Sequence, residues 1–334
     1  MAPEKGEARA TIPEFAPAWW LPGPHAQTIA GRLLRRPVAP ALRRERIDTP
    51  DGDFLDLDFT ASMRPGSPLV LLLHGLEGSA GRGYALNLYR ELALRGVGAV
   101  GLNFRGCSGE PNRTARSYHS GETGDLRQVL AVIRARYPDS ALGVIGFSLG
   151  GNVLLKHLGE EGAQAAGLRA CVAVSVPYDL GACADALDRT PMGRFYTRRF
   201  LATMKEKLIA RRALVVRRID LERALGARSF RAFDDAVTAP LHGFASAEDY
   251  YTRCSSAGFV AAIRTPTLLL QAEDDPFLPS QAIPRAAVRA NPALEPVFLP
   301  RGGHVGFIEG QPWSPRFWVE RVAADHFARR LAPT

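Results

Sequence analysis

Lysine is nearly missing from this 334-residue chain: of its 42 basic residues only Lys5, Lys156, Lys205 and Lys207 are lysines. Arginine, alanine, leucine and proline dominate instead, the bias that GC-rich codons produce. Cysteine is scarce as well. Cys107, Cys171, Cys183 and Cys254 show no Cys-x-x-Cys spacing, which argues against a metal site or a redox pair and for a reducing, cytoplasmic setting. No apolar run approaches the ~18 residues that a membrane span needs. Met1–Ala10 mixes charges and has no apolar core, so it does not read as a secretory signal. There is no internal repeat, no low-complexity tract and no nucleic-acid-binding module, and nothing calls for a metal or an organic cofactor.

What is present suits one large domain with an insertion. The hydrophobic content is 46% and the net charge is +8. The charge is uneven. Arg189 to Arg231 holds thirteen basic residues against Glu206, Asp220 and Glu222. Such a segment is either a solvated helical face or a surface for peripheral membrane contact.

Residues 1–40 are rich in proline and read as an extended arm anchored by Trp19, Trp20 and Leu21. Phe54 to Phe59 alternates, with Leu55, Leu57 and Phe59 on one face and Asp56 and Asp58 on the other. That pattern predicts a half-buried antiparallel strand at a sheet edge, with Arg44–Thr49 as its hairpin partner. Continuous apolar runs follow at 68–73, 97–102, 142–145, 170–176, 267–270 and 296–299. Helical stretches lie at about 83–95, 122–137, 150–159, 280–290 and 314–331. Doubly buried strands alternating with helices give an α/β fold with a mostly parallel, doubly wound sheet. The rhythm breaks between Val176 and Pro266, where helical runs but no convincing strand occur. The organisation is therefore an arm (1–40), a core (41–176 and 266–334) and an inserted helical cap (177–265).

In such a sheet ligands bind beyond the carboxyl ends of the strands. Beyond one of these ends stands Gly146-Phe147-Ser148-Leu149-Gly150-Gly151. A Gly-x-Ser-x-Gly between a strand and a helix is the nucleophile elbow of an α/β-hydrolase, with small residues because the turn is too tight for flanking side chains. A glycine-rich connection around a buried serine is the plainer alternative. Later strand ends carry Asp274 and Asp275, then His304 between Gly303 and Val305. Ser, then Asp, then His is the chain order of a hydrolase triad. His304 is the expected base, and either Asp274 or Asp275 would orient it. His74 is expected to order the loop that follows the first buried strand. His119 lies too far upstream to be the base. The oxyanion-hole amides are expected at Leu149, just after the serine, and at Leu76. In the cap, His242, Phe244 and Tyr250 are pocket candidates, with Phe195, Tyr196, Phe200 and Tyr251 as further apolar lining.

The chain resembles the YheT-like family of the AB-hydrolase superfamily. The stretches that carry the likeness are His74–Ser79, Asn103–Glu110, Arg116–Thr123, Gly146–Asn152, Val174–Pro177, Phe233–Asp235, Thr238–Phe244, Asp249–Tyr251, Asp274–Phe277 and Gly302–Phe307. Pro24, His25, Gln27 and Thr28 match in the arm. The resemblance implies an α/β-hydrolase fold and a carboxylesterase or acylglycerol-lipase-like activity, with Ser148, Asp275 and His304 as the triad. It also implies a small-molecule ester or acyl-lipid substrate. Acyl transfer or thioester and amide cleavage on the same triad are alternatives, as is a non-catalytic binding protein of this fold.

Overall fold

The computed structural model describes residues 12–36, 40–61, 66–165 and 167–332. The readings for Met1–Ala10 and Pro37 lie outside the described residues. The six apolar runs, the alternating stretch and its hairpin partner become the strands of one eight-stranded sheet: β1 (Leu42–Asp48), β2 (Phe54–Thr60), β3 (Leu69–Leu73), β4 (Gly98–Asn103), β5 (Leu142–Phe147), β6 (Leu168–Val174), β7 (Thr267–Ala272) and β8 (Leu294–Leu299). Their order is β1-β2-β4-β3-β5-β6-β7-β8. The pairings from β4 through β8 are parallel; those of β1 with β2 and β2 with β4 are antiparallel. Successive residues of a strand face opposite sides, so Leu71 and Leu73 enter one core while Val70 and Leu72 enter the other. Helices α3 (Thr123–Arg136) and α4 (Leu149–Glu161) cover the first face; α2 (Gly83–Ala93) and α13 (Trp318–Arg330) cover the second.

Four expectations need correction. Strand β2 is not the edge: all seven of its residues are buried and β1 lies outside it. Its aspartates are buried because β1 places arginines directly opposite them, Arg44 against Asp58 and Arg46 against Asp56. Each pair is a two-bonded fork with N···O distances of 2.7–2.9 Å. The charged, half-exposed β1 then protects the sheet edge from further pairing. Second, the arm is not wholly extended. Gly23–Leu34 forms helix α1, with proline in its first turn, where no N–H is needed. Trp19 is 73% exposed and anchors by little more than an Nε1–H bond to Gln311, whereas Trp20 and Leu21 pack as expected. Third, 280–290 divides at Pro284 into a short 3-10 turn and α12 (Arg285–Ala290). Fourth, 314–331 begins as strand β10 (Ser314–Phe317), paired with β9 (Ile308–Gln311), before α13 starts.

Between β6 and β7 the described residues form the helical insertion: α5 (Leu180–Arg189), α6 (Pro191–Ala210), α7 (Arg212–Val215), α8 (Leu221–Gly226), α9 (Phe230–Phe233), α10 (Ala239–His242) and α11 (Ala247–Cys254). A π-helical turn, Asp234–Thr238, joins α9 to α10. There the buried Asp234 carboxylate accepts from Tyr251 Oη at 2.7 Å and Thr238 Oγ1 at 2.5 Å. Burial pushes its pKa up to about 6.

Burial also depresses five of the seven histidines, His74 and His242 to about 3 and His119, His157 and His326 to about 4. A folded-state pKa below the unfolded value of 6.5 means that the unfolded chain binds the extra protons. Stability is thus complete above pH 6.5 and declines as the pH falls toward 4, each histidine adding to the slope. Thermal unfolding followed by circular dichroism should show Tm falling steeply below pH 6.5; a flat Tm down to pH 5 would contradict this.

Candidate active site

The elbow is built by sterics. Ser148 sits at φ 52°, ψ −118°, a conformation that L-residues rarely adopt and that costs about 1–3 kcal/mol. The chain can turn this sharply because a Cβ on Gly146 would lie 2.3 Å from the carbonyl oxygen of Gly150. Glycine is therefore required there. Two bonds pin the turn: Ser148 N–H donates to Val174 O at 2.8 Å, and Asn152 N–H donates to Ser148 O. Buried Asn152 also ties α4 to the loop before α3 and to the insertion, through Nδ2 to Ser120 O and to Cys254 O, both at 2.8 Å.

His304 lies in the loop between β8 and β9. Its Nε2 is 3.0 Å from Ser148 Oγ, and its Nδ1 is 2.7 Å from Asp275 Oδ2. Facing a carboxylate, Nδ1 carries the proton, which leaves Nε2 to accept from the serine hydroxyl. Asp275 is buried, and its other oxygen accepts from Phe277 N–H at 2.9 Å. Asp274 does different work: its Oδ1 accepts from Gly303 N–H at 2.9 Å and holds the histidine loop. The geometry therefore separates the two acids, and only Asp275 reaches His304.

Helix α1 braces the same loop. Thr28 Oγ1 accepts from His304 N–H at 2.9 Å, and the buried Gln27 side chain bonds both backbone groups of Ile308. The approach is so close that a Cβ on Gly303 (φ +63°) would lie 2.5 Å from Pro24 O. Thr28 was visible in sequence only as part of a matching stretch, and its support of His304 comes from the fold. Ser175, another residue at positive φ, steadies Val305 N–H at 3.1 Å.

The loop after β3 faces the elbow. His74 is fully buried and neutral. Its Nε2 accepts from Phe104 N–H at 3.1 Å, so the proton sits on Nδ1, which donates to Gly75 O at 2.7 Å. It orders the loop as expected. The amides of Leu76 and Leu149 have no protein acceptor among the described residues, and both residues line the cavity beside Ser148. Next to Leu76, Glu77 accepts from Tyr118 Oη at 2.8 Å and from Lys207 Nζ of α6 at 3.0 Å. That ion pair links the insertion to the loop.

The loop after β4 depends on Arg105, whose side chain is 1% exposed. It forks onto Asp125 at 2.8 and 2.7 Å and reaches Asp51 at 2.9 Å and Asp53 at 3.2 Å. Arg105→Leu should cost about 3–5 kcal/mol in urea unfolding, because it strands buried carboxylates. A loss below 1 kcal/mol would show that the network carries little.

A cavity of about 1200 Å³ opens over Ser148, Leu149 and His304. The insertion supplies mostly apolar lining, including Leu180, Leu187, Tyr196, Phe200, Phe233, Tyr250 and Tyr251. Two pocket candidates fall elsewhere. His242 packs against His119 with ring centres 4.5 Å apart and tilted by 58°, its Nε2 3.2 Å from Ser117 Oγ, and Phe244 packs against Tyr250 and His119 outside the lining. Helix α10 ends at Gly243, so both rings turn toward the Arg116–Glu122 segment. Ligand atoms of His119, Glu122 and His242 lie within 4.8 Å of one another. Both Glu122 oxygens, however, already accept from Arg116 at 2.8 and 2.7 Å. The carboxylate is thus neutralised by a cation of the chain itself.

No helix of the described residues is long and apolar enough to cross a membrane. Residues 68–311 match the family model described as the alpha/beta hydrolase fold. The chain is 38% identical over 316 residues to YheT of Escherichia coli (strain K12), covering 93% of this chain and 92% of that one. It is 32% identical over 307 residues to Phospholipase ABHD3 of Mus musculus, covering 89% and 74%. It is 31% identical over 290 residues to Monoacylglycerol lipase of Saccharomyces cerevisiae, covering 83% and 61%. Among solved structures, the esterase Pf2001 of Pyrococcus furiosus superposes with a TM-score of 0.58 at 19% identity, over 87% of this chain and 92% of that one. With its eight-stranded sheet, its strained Ser148 elbow and relatives that span most of its length, the chain belongs to the α/β-hydrolase family, in the YheT-like branch.

Proposed function

We propose that the chain is a serine esterase that cleaves carboxylic esters of acyl lipids, or short- to medium-chain esters, through an acyl-enzyme on Ser148. The observation that carries this reading is the continuous chain Ser148 Oγ to His304 Nε2, and His304 Nδ1 to Asp275, at the floor of an apolar cavity. His304 takes the serine proton as Oγ attacks the ester carbonyl carbon. The carbonyl oxygen becomes an anion that the Leu76 and Leu149 amides receive, helped by the dipole at the start of α4. His304 returns the proton to the departing alcohol. Water, deprotonated by the same imidazole, then releases the acid. The relatives named as a phospholipase and a monoacylglycerol lipase support an acyl-lipid ester as substrate. So does a cavity larger than a small ester needs. Four buried, unpaired cysteines suit a reducing, cytoplasmic location.

The test is a panel of p-nitrophenyl and glycerol esters graded by acyl length, joined to labelling with a fluorophosphonate. Cleavage should rise with acyl length over the medium-chain range, and mass spectrometry should place one phosphonyl group on Ser148. An enzyme that cleaves no ester and takes no label refutes the reading.

A further inference from the structure

The mouth of the cavity over Ser148 has an unusual charge distribution. Arg32 on α1, Arg82 at the start of α2 and Arg199 on α6 come from three distant segments and all line this cavity. All three are exposed. Of the other cations of the lining, Arg35 is paired with Glu320, Arg105 with its aspartates and Lys207 with Glu77, while Arg211 is turned away to donate to the carbonyl oxygens of Thr114 and Arg116. The side chains of Arg32 and Arg199 make no ion pair or hydrogen bond among the described residues. Arg82 makes one hydrogen bond, to the carbonyl oxygen of Glu77 at 2.6 Å. Arg32 feels the other two: burial, then the charges of Arg82 and Arg199, lower its pKa. Of the acids in the lining, Glu110 is held by Arg46, Glu77 by Lys207 and buried Asp234 by Thr238 and Tyr251, while Glu206 is exposed and pairs with none of the three arginines.

Guanidinium groups gathered without a counter-ion at a cavity mouth are complementary to an anion with several oxygens. Planar forks fit a phosphate in bidentate fashion better than point charges do. The apolar inner wall takes the acyl chain, so the mouth faces the alcohol part of an ester. We propose that Arg32, Arg82 and Arg199 form an anion subsite that selects acyl esters bearing a terminal phosphate monoester on the alcohol moiety. The choice of a monoester follows from charge: a dianion matches three cations, whereas a choline phosphodiester would bring a quaternary ammonium against them. Exposed Ile29, Leu33 and Phe195 on the same two helices supply apolar contact beside the arginines. This inference rests on the reading of Ser148 as an esterase nucleophile and adds its substrate class.

The experiment compares three esters with one acyl chain: 1-octanoylglycerol 3-phosphate, 1-octanoylglycerol and 1-octanoylglycero-3-phosphocholine. At low salt the phosphate monoester should exceed both others in kcat/KM by about tenfold or more, the scale of one charge-assisted fork. The advantage should vanish in Arg32→Gln/Arg199→Gln and shrink in about 0.5 M NaCl. Arg82→Gln alone should lower it severalfold. A wild-type ratio near one, or a ratio that survives the double substitution, overturns the subsite. If no ester is cleaved, the esterase reading fails separately. The subsite is then read by calorimetry on Ser148→Ala, where 1-O-octylglycerol 3-phosphate should bind about tenfold tighter than 1-O-octylglycerol. Equal binding of the two ethers overturns it. So does tight binding of inorganic phosphate without preference between them, which would mark a site for free phosphate.

Discussion

Ser148→Ala is expected to lower kcat for ester hydrolysis by about 10⁴-fold or more, and to abolish fluorophosphonate labelling. In the proposed mechanism the whole covalent route passes through Oγ, and no other hydroxyl lies within bonding distance of His304 Nε2 among the described residues. Residual turnover would come from the oxyanion amides and from binding alone, so KM should change far less than kcat. Alanine keeps the strained backbone at φ 52° and removes one oxygen that faces the cavity, so Tm should move little. Steady-state kinetics on a medium-chain ester, with a thermal melt as the folding control, checks both parts. Activity within tenfold of wild type would place the nucleophile elsewhere.

The second large effect concerns the acid. Asp275→Asn should lower kcat by about 10⁴-fold, while Asp274→Asn should cost about tenfold or less. The difference follows from the protons. Asparagine at 275 can turn its amide N–H toward His304 Nδ1, which then must accept. The imidazole proton moves to Nε2 and points at Ser148 Oγ, where it blocks general-base action. Asparagine at 274 keeps an oxygen for Gly303 N–H and leaves the tautomer alone. Equal losses at the two positions would mean that the histidine loop, rather than the tautomer, limits catalysis.

The elbow was legible because its requirement is local. Gly146 and Gly150 stand so close in the turn that any sequence making it must place small residues there. The buried strands were legible for a related reason, since a strand covered on both faces reads as an unbroken apolar run. Asp56 and Asp58 misled because their alternation signals a solvent face, while their arginine partners lie in β1, ten to fourteen residues away and opposite them only through the hairpin register. Proline density disguised α1, because proline in a first turn starts a helix as readily as it marks a loop. His242 and Phe244 were assigned to the pocket on their place in the insertion, yet the direction of a short helix ending at Gly243 turns them toward His119.

By itself the sequence marked the candidate site residues and their order along the chain: a serine in a turn that only glycines permit, then an acid, then a histidine, each beyond an apolar strand. Hydrogen-bonding needs and sterics act over a few residues, so they leave a trace in local composition. Which of two adjacent aspartates meets the histidine, how α1 steadies that histidine, and how Arg32, Arg82 and Arg199 come to share one cavity mouth were decided only by the tertiary structure. Those relations join residues 28, 148, 275 and 304, or 32, 82 and 199. The parallel sheet and its insertion bring such distant positions together, and no local pattern records where a strand end or a helix face finally points. For Gly146–Gly151 the change is one of scope: a steric signature in six residues has become the floor of a site whose walls and charge are drawn from most of the chain.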